Sequence, residues 1–205
     1  MDNSIELAKE IALETNKIVK RTYWTNEEIE KYFGKRSAQE IIQNGTTCFM
    51  NPCLDLTLVS AYLMTSRGIK HDLVIEEHLL TKDFNFNKLH FLIEYYINGK
   101  INTLNYKRNN EVHIFNGNYS GREDIQNAQM IKIPGENINP YKNLNDNLGY
   151  SNLEDLIKDK FIGFSLEKNI SQLKYDNSLK NFNDYLKKYG EVLNIITKFE
   201  NQPAL

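Results

Sequence analysis

Two residue types in this chain are spaced for nucleophilic chemistry, a cysteine at a helix start and a histidine inside a strand pattern. Asn51-Pro52-Cys53-Leu54-Asp55 opens what reads as a helix running to about Arg67. Asn51 suits the N-cap and Pro52 the first helical position, so Cys53 falls at the second. There unpaired backbone N–H groups and the positive end of the helix dipole favour thiolate over thiol. The plainer reading of a lone cysteine at this place is a small buried apolar residue. Cys48 lacks the helix-start context and reads as a loop or core thiol. Asp55, two residues past Cys53, reads as support for the helix start.

The histidine is placed by a hairpin argument. Asn98-Gly99, between two strand-like runs, suits a type I' turn. With those two residues as the loop, Ile97 faces Lys100, Glu94 faces Thr103 and Leu92 faces Asn105. Side chains alternate, so His90, Leu92, Glu94 and Tyr96 share a face with Ile101, Thr103 and Asn105. His90 and Asn105 become diagonal neighbours, roughly 7 Å apart at the backbone and within side-chain reach. If that face packs against the start of the Cys53 helix, the three side chains supply a nucleophile, a base and an amide that orients the base.

The positioning elements follow from periodicity. Ile5, Ala8, Ile11, Ala12, Thr15 and Val19 keep helical spacing and predict a helix over about 4–21. Thr25-x-x-Glu28 and Ser37-x-x-Glu40 are capping boxes that open two shorter helices, so the first fifty residues read as helical. Strand patterns follow at about 71–77, 89–97, 100–106, 111–115 and 130–133. From 134 to 150 the chain reads as a surface loop. Ser151-x-x-Glu154 caps another helix, and 177–199 reads as a last one, weakened at Gly190. The expected architecture is α+β, with amino-terminal helices on an antiparallel sheet of four or five strands. A core over 1–133 carries a loop and helical extension over 134–205. The bland expectation is that this extension enlarges the core; the sharper one is that it and the loop over 116–129 wall the substrate cleft.

The 205 residues carry 25 Lys and Arg against 27 Asp and Glu, a formal net charge of -2, with no basic run to mark a nucleic-acid partner. No apolar run is long enough for a bilayer and the amino terminus has no signal-peptide pattern, so a cytoplasmic location is expected. Two cysteines are too few for a zinc site, and His71, His78, His90 and His113 form no helical pair of ligand spacing. No metal and no cofactor are expected.

The motifs together resemble the transglutaminase-like superfamily of papain-like cysteine enzymes. The resemblance covers about 37–106. Ser37 to Gly45 is similar to the helix before the nucleophile, Cys53-Leu54-Asp55 to the Cys-x-Asp motif, and Arg67-Gly68-Ile69 to the end of the nucleophile helix. His90 to Gly99, continuing to Leu104-Asn105, looks like the strand pair with the other two triad members. The resemblance implies a papain-like core and a catalytic triad of Cys53, His90 and Asn105. It implies acyl transfer through a thioester, by hydrolysis of peptide or isopeptide bonds in a protein or peptide substrate or by transamidation. Three departures stand out: Asn105 where the family usually has Asp, Leu92 where an aromatic is common, and Pro52 before the nucleophile. The alternative is a catalytically inactive domain that binds a protein partner. Trp24, through its indole N–H, is a candidate second donor to the oxyanion.

Overall fold

A computed structural model of the chain describes residues 3–78, 88–107, 109–117, 130–161, 165–190 and 193–199. The described elements run α1 (Asn3–Ile18), β1 (Lys20–Thr22), α2 (Asn26–Tyr32), α3 (Ala38–Asn44), β2 (Thr46–Cys48), α4 (Cys53–Ser66) and β3 (His71–His78). They continue with β4 (Lys88–Ile97), β5 (Lys100–Tyr106), β6 (Glu111–Asn116), β7 (Met130–Pro134), α5 (Leu144–Asn147), α6 (Leu153–Lys160), α7 (Leu166–Asp176), α8 (Leu179–Tyr189) and β8 (Asn194–Phe199). The fold is α+β, built on one six-stranded sheet in the order β7-β3-β4-β5-β6-β8.

Five strands are antiparallel to their neighbours, as the alternating patterns predict, and the Asn98-Gly99 turn has both residues at positive φ (52° and 76°). That is the geometry of a type I' turn, whose twist matches the strands it joins. The register from Ile97↔Lys100 to Ile93↔Leu104 follows directly from it. The sheet is nevertheless mixed, because β8 pairs parallel with β6. The helix expected over 177–199 therefore stops at Tyr189. Gly190 at φ 63° ends α8, and the β-branched run Ile195-Ile196-Thr197 then enters the sheet. The first fifty residues are not wholly helical either. Lys20–Thr22 and Thr46–Cys48 form a two-stranded parallel pair that delivers the chain to α4.

Both capping boxes are formed, with Thr25 accepting from the Glu28 N–H and Ser37 from the Glu40 N–H. At α6 the cap is Asn152, one residue later than the Ser151 box predicts. Helix α4 is apolar nearly all round and buried nearly all round. It ends in a Schellman turn, with Gly68 at φ 68° and Ile69 N–H donating to Met64 O.

Helices α1 and α4 pack on one face of the sheet, and α3 packs on α4. Ile11, Leu54, Leu58, Phe91, Ile93, Tyr95, Leu104, Val112 and Ile114 share one core there. Leu153, Leu156, Ile157 and Phe161, from the segment after 134, belong to the same core. A chain of hydroxyls crosses this layer, Thr15 to Ser60 (2.8 Å) and Ser60 to Tyr106 (2.6 Å), tying α1, α4 and β5 together. Within the 134–150 segment the chain forms a 3-10 turn at Gly135–Asn137 and the short helix α5. Gly135 lies flat against the buried His71 ring, where any Cβ would come within 2.3 Å of Nε2. Among the described residues no helix is long and apolar enough to cross a membrane.

Candidate functional site

Cys53 is the first residue of α4. Its flanking residue is Pro52, in helical conformation with no side-chain cap, so Asn51 does not cap the helix as its type suggests. Its amide turns to the thiol instead, and Cys53 Sγ donates to Asn51 Oδ1 at 3.0 Å. The helix start is anchored two residues further in, still within the first turn. Buried Asp55 accepts from Thr47 Oγ1 (2.7 Å) on β2 and pairs with Arg36, whose guanidinium stacks over the Trp24 ring. Asp55 thus supports the helix start, the role its position predicts.

His90 and Asn105 are in contact. The imidazole Nε2 lies 2.7 Å from Asn105 Oδ1. A carbonyl oxygen only accepts, so Nε2 carries the hydrogen and Nδ1 is left as the base of the neutral ring. Asn105 is fully buried, and its Nδ2 has no partner among the described residues.

The route by which these residues approach Cys53 differs from the sequence argument. Helix α4 packs on the face carrying Phe91, Ile93, Tyr95, Leu104 and Tyr106. Strand alternation puts His90 and Asn105 on the opposite face, with Val74 and Leu92, which pack together in a separate small cluster. The common face predicted for the pair is present, but it is not the face under the helix. Convergence occurs at the end of the sheet, where β4 begins and β5 finishes. A cavity of about 150 Å³ opens there, and Cys53, Asn51, Leu89, His90 and Tyr106 all line it.

The thiol is nearly buried where it meets this cavity. Cys53 is 6% exposed. Burial pushes its pKa up to about 11, against the pull of the Phe91 and Leu54 backbone N–H groups. The depressed pKa argued from the helix start is therefore reversed: desolvation outweighs the dipole, and the thiol rests protonated on Asn51. Cys48 is buried in a separate cluster with Trp24, Ile29 and Leu173, and burial pushes it up to about 12. It is a core thiol. Trp24 sits in that same cluster and is not among the described residues that line the cavity.

The far wall of the cavity is α7, through Asn169, Gln172, Leu173 and Asp176. This helix was absent from the sequence reading, although Ser165 caps it and Leu166, Ile170 and Leu173 repeat at helical spacing. The segment after 134 thus both enlarges the core and walls the cavity. Of the loop over 116–129 also expected there, the part beyond Gly117 lies outside the described residues. Arg21 was missed as well. Its buried guanidinium donates to Lys107 O (2.8 Å) and lies within electrostatic reach of Tyr185, Tyr106 and Cys53. A single arginine in an edge strand carries no local signal of such a place.

Next to this cavity lies a larger one of about 710 Å³, sharing Met50 and Asp176 with it and lined further by Tyr175, Tyr185 and Tyr189. Among the described residues no group of three or more His, Cys, Asp or Glu is placed to hold a metal ion. No protein-family model, no curated protein and no solved structure matches this chain.

Proposed function

We propose that this chain is a cysteine-dependent acyl-transfer enzyme with a transglutaminase-like, papain-like core, in which Cys53 is the nucleophile, His90 the base and Asn105 the residue that orients the base. The observation that carries the reading is the His90–Asn105 hydrogen bond at the wall of the cavity that also holds Cys53. It fixes the tautomer that leaves Nδ1 able to accept a thiol proton. Since one thiol proton makes one strong bond, activation requires Cys53 to leave Asn51 and turn to His90.

The Sγ–H proton then passes to Nδ1 and the thiolate attacks the carbonyl carbon of a peptide or isopeptide bond. The oxyanion meets the N–H groups of the first turn of α4, which have no intrahelical acceptor, and the Asn51 side-chain amide in place of Trp24. His90 returns the proton to the leaving amine, and a thioester on Cys53 remains. Water then gives hydrolysis, and an amine gives transamidation.

A second reading, a catalytically silent domain that binds a protein partner, is favoured by the burial of Cys53 and its raised pKa. Incubation with an activated acyl ester and mass spectrometry of the intact chain separates the two. The enzyme reading expects one acyl group on Cys53, lost in Cys53→Ala and strongly slowed in His90→Ala. An unmodified Cys53, with the ester left intact, supports the silent domain.

A further inference from the structure

Asn105 can orient His90 but cannot neutralise it. An imidazolium formed at His90 during proton transfer would gain only a dipole from that side, where a carboxylate would supply a full charge. The other flank of the histidine is occupied differently. In the β3–β4 ladder the residue directly opposite His90 is Glu76. Strand alternation puts both on the face away from α4, with Cβ atoms of opposed residues about 5 Å apart. Glu76 is 0% exposed, in a strand whose alternate residues Leu73 and Ile75 pack in the main core.

We propose that Glu76 is the anionic positioning residue of the site: its carboxylate, facing His90 from β3, lets the imidazole hold a proton while Asn105, from β5, sets its orientation. The work usually done by one aspartate is divided between residues on the two strands that flank β4. The proposal rests on the acyl-transfer reading for its purpose, not for its test.

Among the charges near His90, Glu76 is the one that the strand register sets directly opposite it. Glu94, four residues along β4 on the same face, is equally buried, but it lies opposite Asp72 and pairs with Lys132 of β7. His113 lies opposite Asn105 on β6 and is held by Glu111 at 2.9 Å. Lys107 follows the end of β5 and lines the neighbouring larger cavity. Asp176 lines the cavity from α7, where Gln172 donates to it (2.7 Å), and Cys53, from α4, rests protonated.

The test is an NMR titration of the His90 ring in the full chain, which needs no turnover. With Glu76 present the His90 pKa should lie above its ordinary value of about 6.5. Glu76→Gln should lower it by about one unit or more, Glu76→Asp should keep most of the rise, and Glu94→Gln should leave it within a few tenths. A wild-type pKa below 6.5, or a Glu76→Gln titration unmoved from wild type, overturns the proposal. Should Glu76→Gln fail to fold, the wild-type and Glu76→Asp titrations still decide. A raised His90 pKa alongside an unreactive Cys53 sinks the acyl-transfer reading alone, and a reactive Cys53 beside an unshifted His90 sinks this proposal alone.

Discussion

The two cysteines, five residues apart, are chemically alike at rest and differ in what surrounds them. Each is buried, each is pushed up by desolvation, and each gives its thiol proton to an asparagine, Cys48 to Asn177 (3.3 Å) and Cys53 to Asn51 (3.0 Å). Cys48 is enclosed by Trp24, Ile29 and Leu173, and Asn177 also ties it to the Trp24 carbonyl. Cys53 opens on a cavity, with His90 on its wall and first-turn N–H groups beside it. A pKa compared in the resting fold barely distinguishes them. What separates a reactive thiol from a packed one is the presence of a base and of space for a carbonyl group.

The largest difference between them should appear in activity. Cys53→Ala should abolish thiol-dependent acyl transfer, a loss of at least about a thousandfold, whereas Cys48→Ala should leave the rate within about twofold. Hydrolysis of an activated ester, read against mass-spectrometric acylation of each variant, measures this. Equal losses would mean that the cavity does not mark the nucleophile.

Next in size is the effect of Asn177, a buried residue whose Nδ2 donates to the Trp24 carbonyl and whose Oδ1 accepts from Cys48. Asn177→Ala removes these two hydrogen bonds in a dry cluster and should cost about 1–3 kcal/mol. Asn177 also closes the carboxy-terminal end of α7, the far wall of the Cys53 cavity. Urea unfolding should show the loss, and alkylation of Cys53 should accelerate as the wall loosens. Loss of stability with Cys53 labelling unchanged would show the two thiol environments to be independent.

Much of this comparison was legible in the chain, and the gaps have physical causes. The Asn98-Gly99 turn dictates its own register, because two positive-φ residues in a two-residue loop admit one pairing. His90 and Asn105 were therefore found together from spacing alone. Which face a helix covers is a non-local matter. The outward face of β4 carries apolar Leu92 beside His90 and Glu94, so the pattern does not name the inner side. The sign of the Cys53 shift was missed for a related reason. A helix start is visible locally, but the burial that outweighs it comes from β4 and from α7, more than a hundred residues on. The strand at 194–199 was hidden because the apolar spacing of α8 runs on past Gly190 into Leu193.

Alkaline pH should act on both thiols in the same direction. Each folded pKa is raised above the ordinary 9.0, to about 12 for Cys48 and about 11 for Cys53. The stability that a raised pKa contributes is complete below the unfolded value and is lost as pH rises through the folded one. Between pH 9 and 10 the chain should thus lose up to roughly 1 kcal/mol per thiol. Tyr96 and Tyr106, both raised to about 12, join with the same sign above pH 10. Thermal melts from pH 8 to 10 should show the decline, shallower in Cys48→Ala. A slope unaffected by that change would indicate that Cys48 is already solvated in the fold.

The smallest expected effect tests the hydrogen bond that the Cys53 thiol donates to Asn51 at rest. Asn51→Ala removes the acceptor of the thiol proton while leaving Cys53, His90 and the α4 backbone in place. A single neutral hydrogen bond contributes about 1 kcal/mol, so freeing the thiol should speed alkylation of Cys53 several-fold. If the Asn51 amide also donates to the oxyanion, acyl transfer should fall in the same variant even as labelling rises. The split between the two rates is the informative quantity. Faster labelling with slower turnover assigns Asn51 both roles, and a parallel rise in both rates assigns it only the resting one. Slower labelling would mean that Asn51 orders the helix start and does not restrain the thiol, leaving burial alone to set Cys53 apart from an active nucleophile.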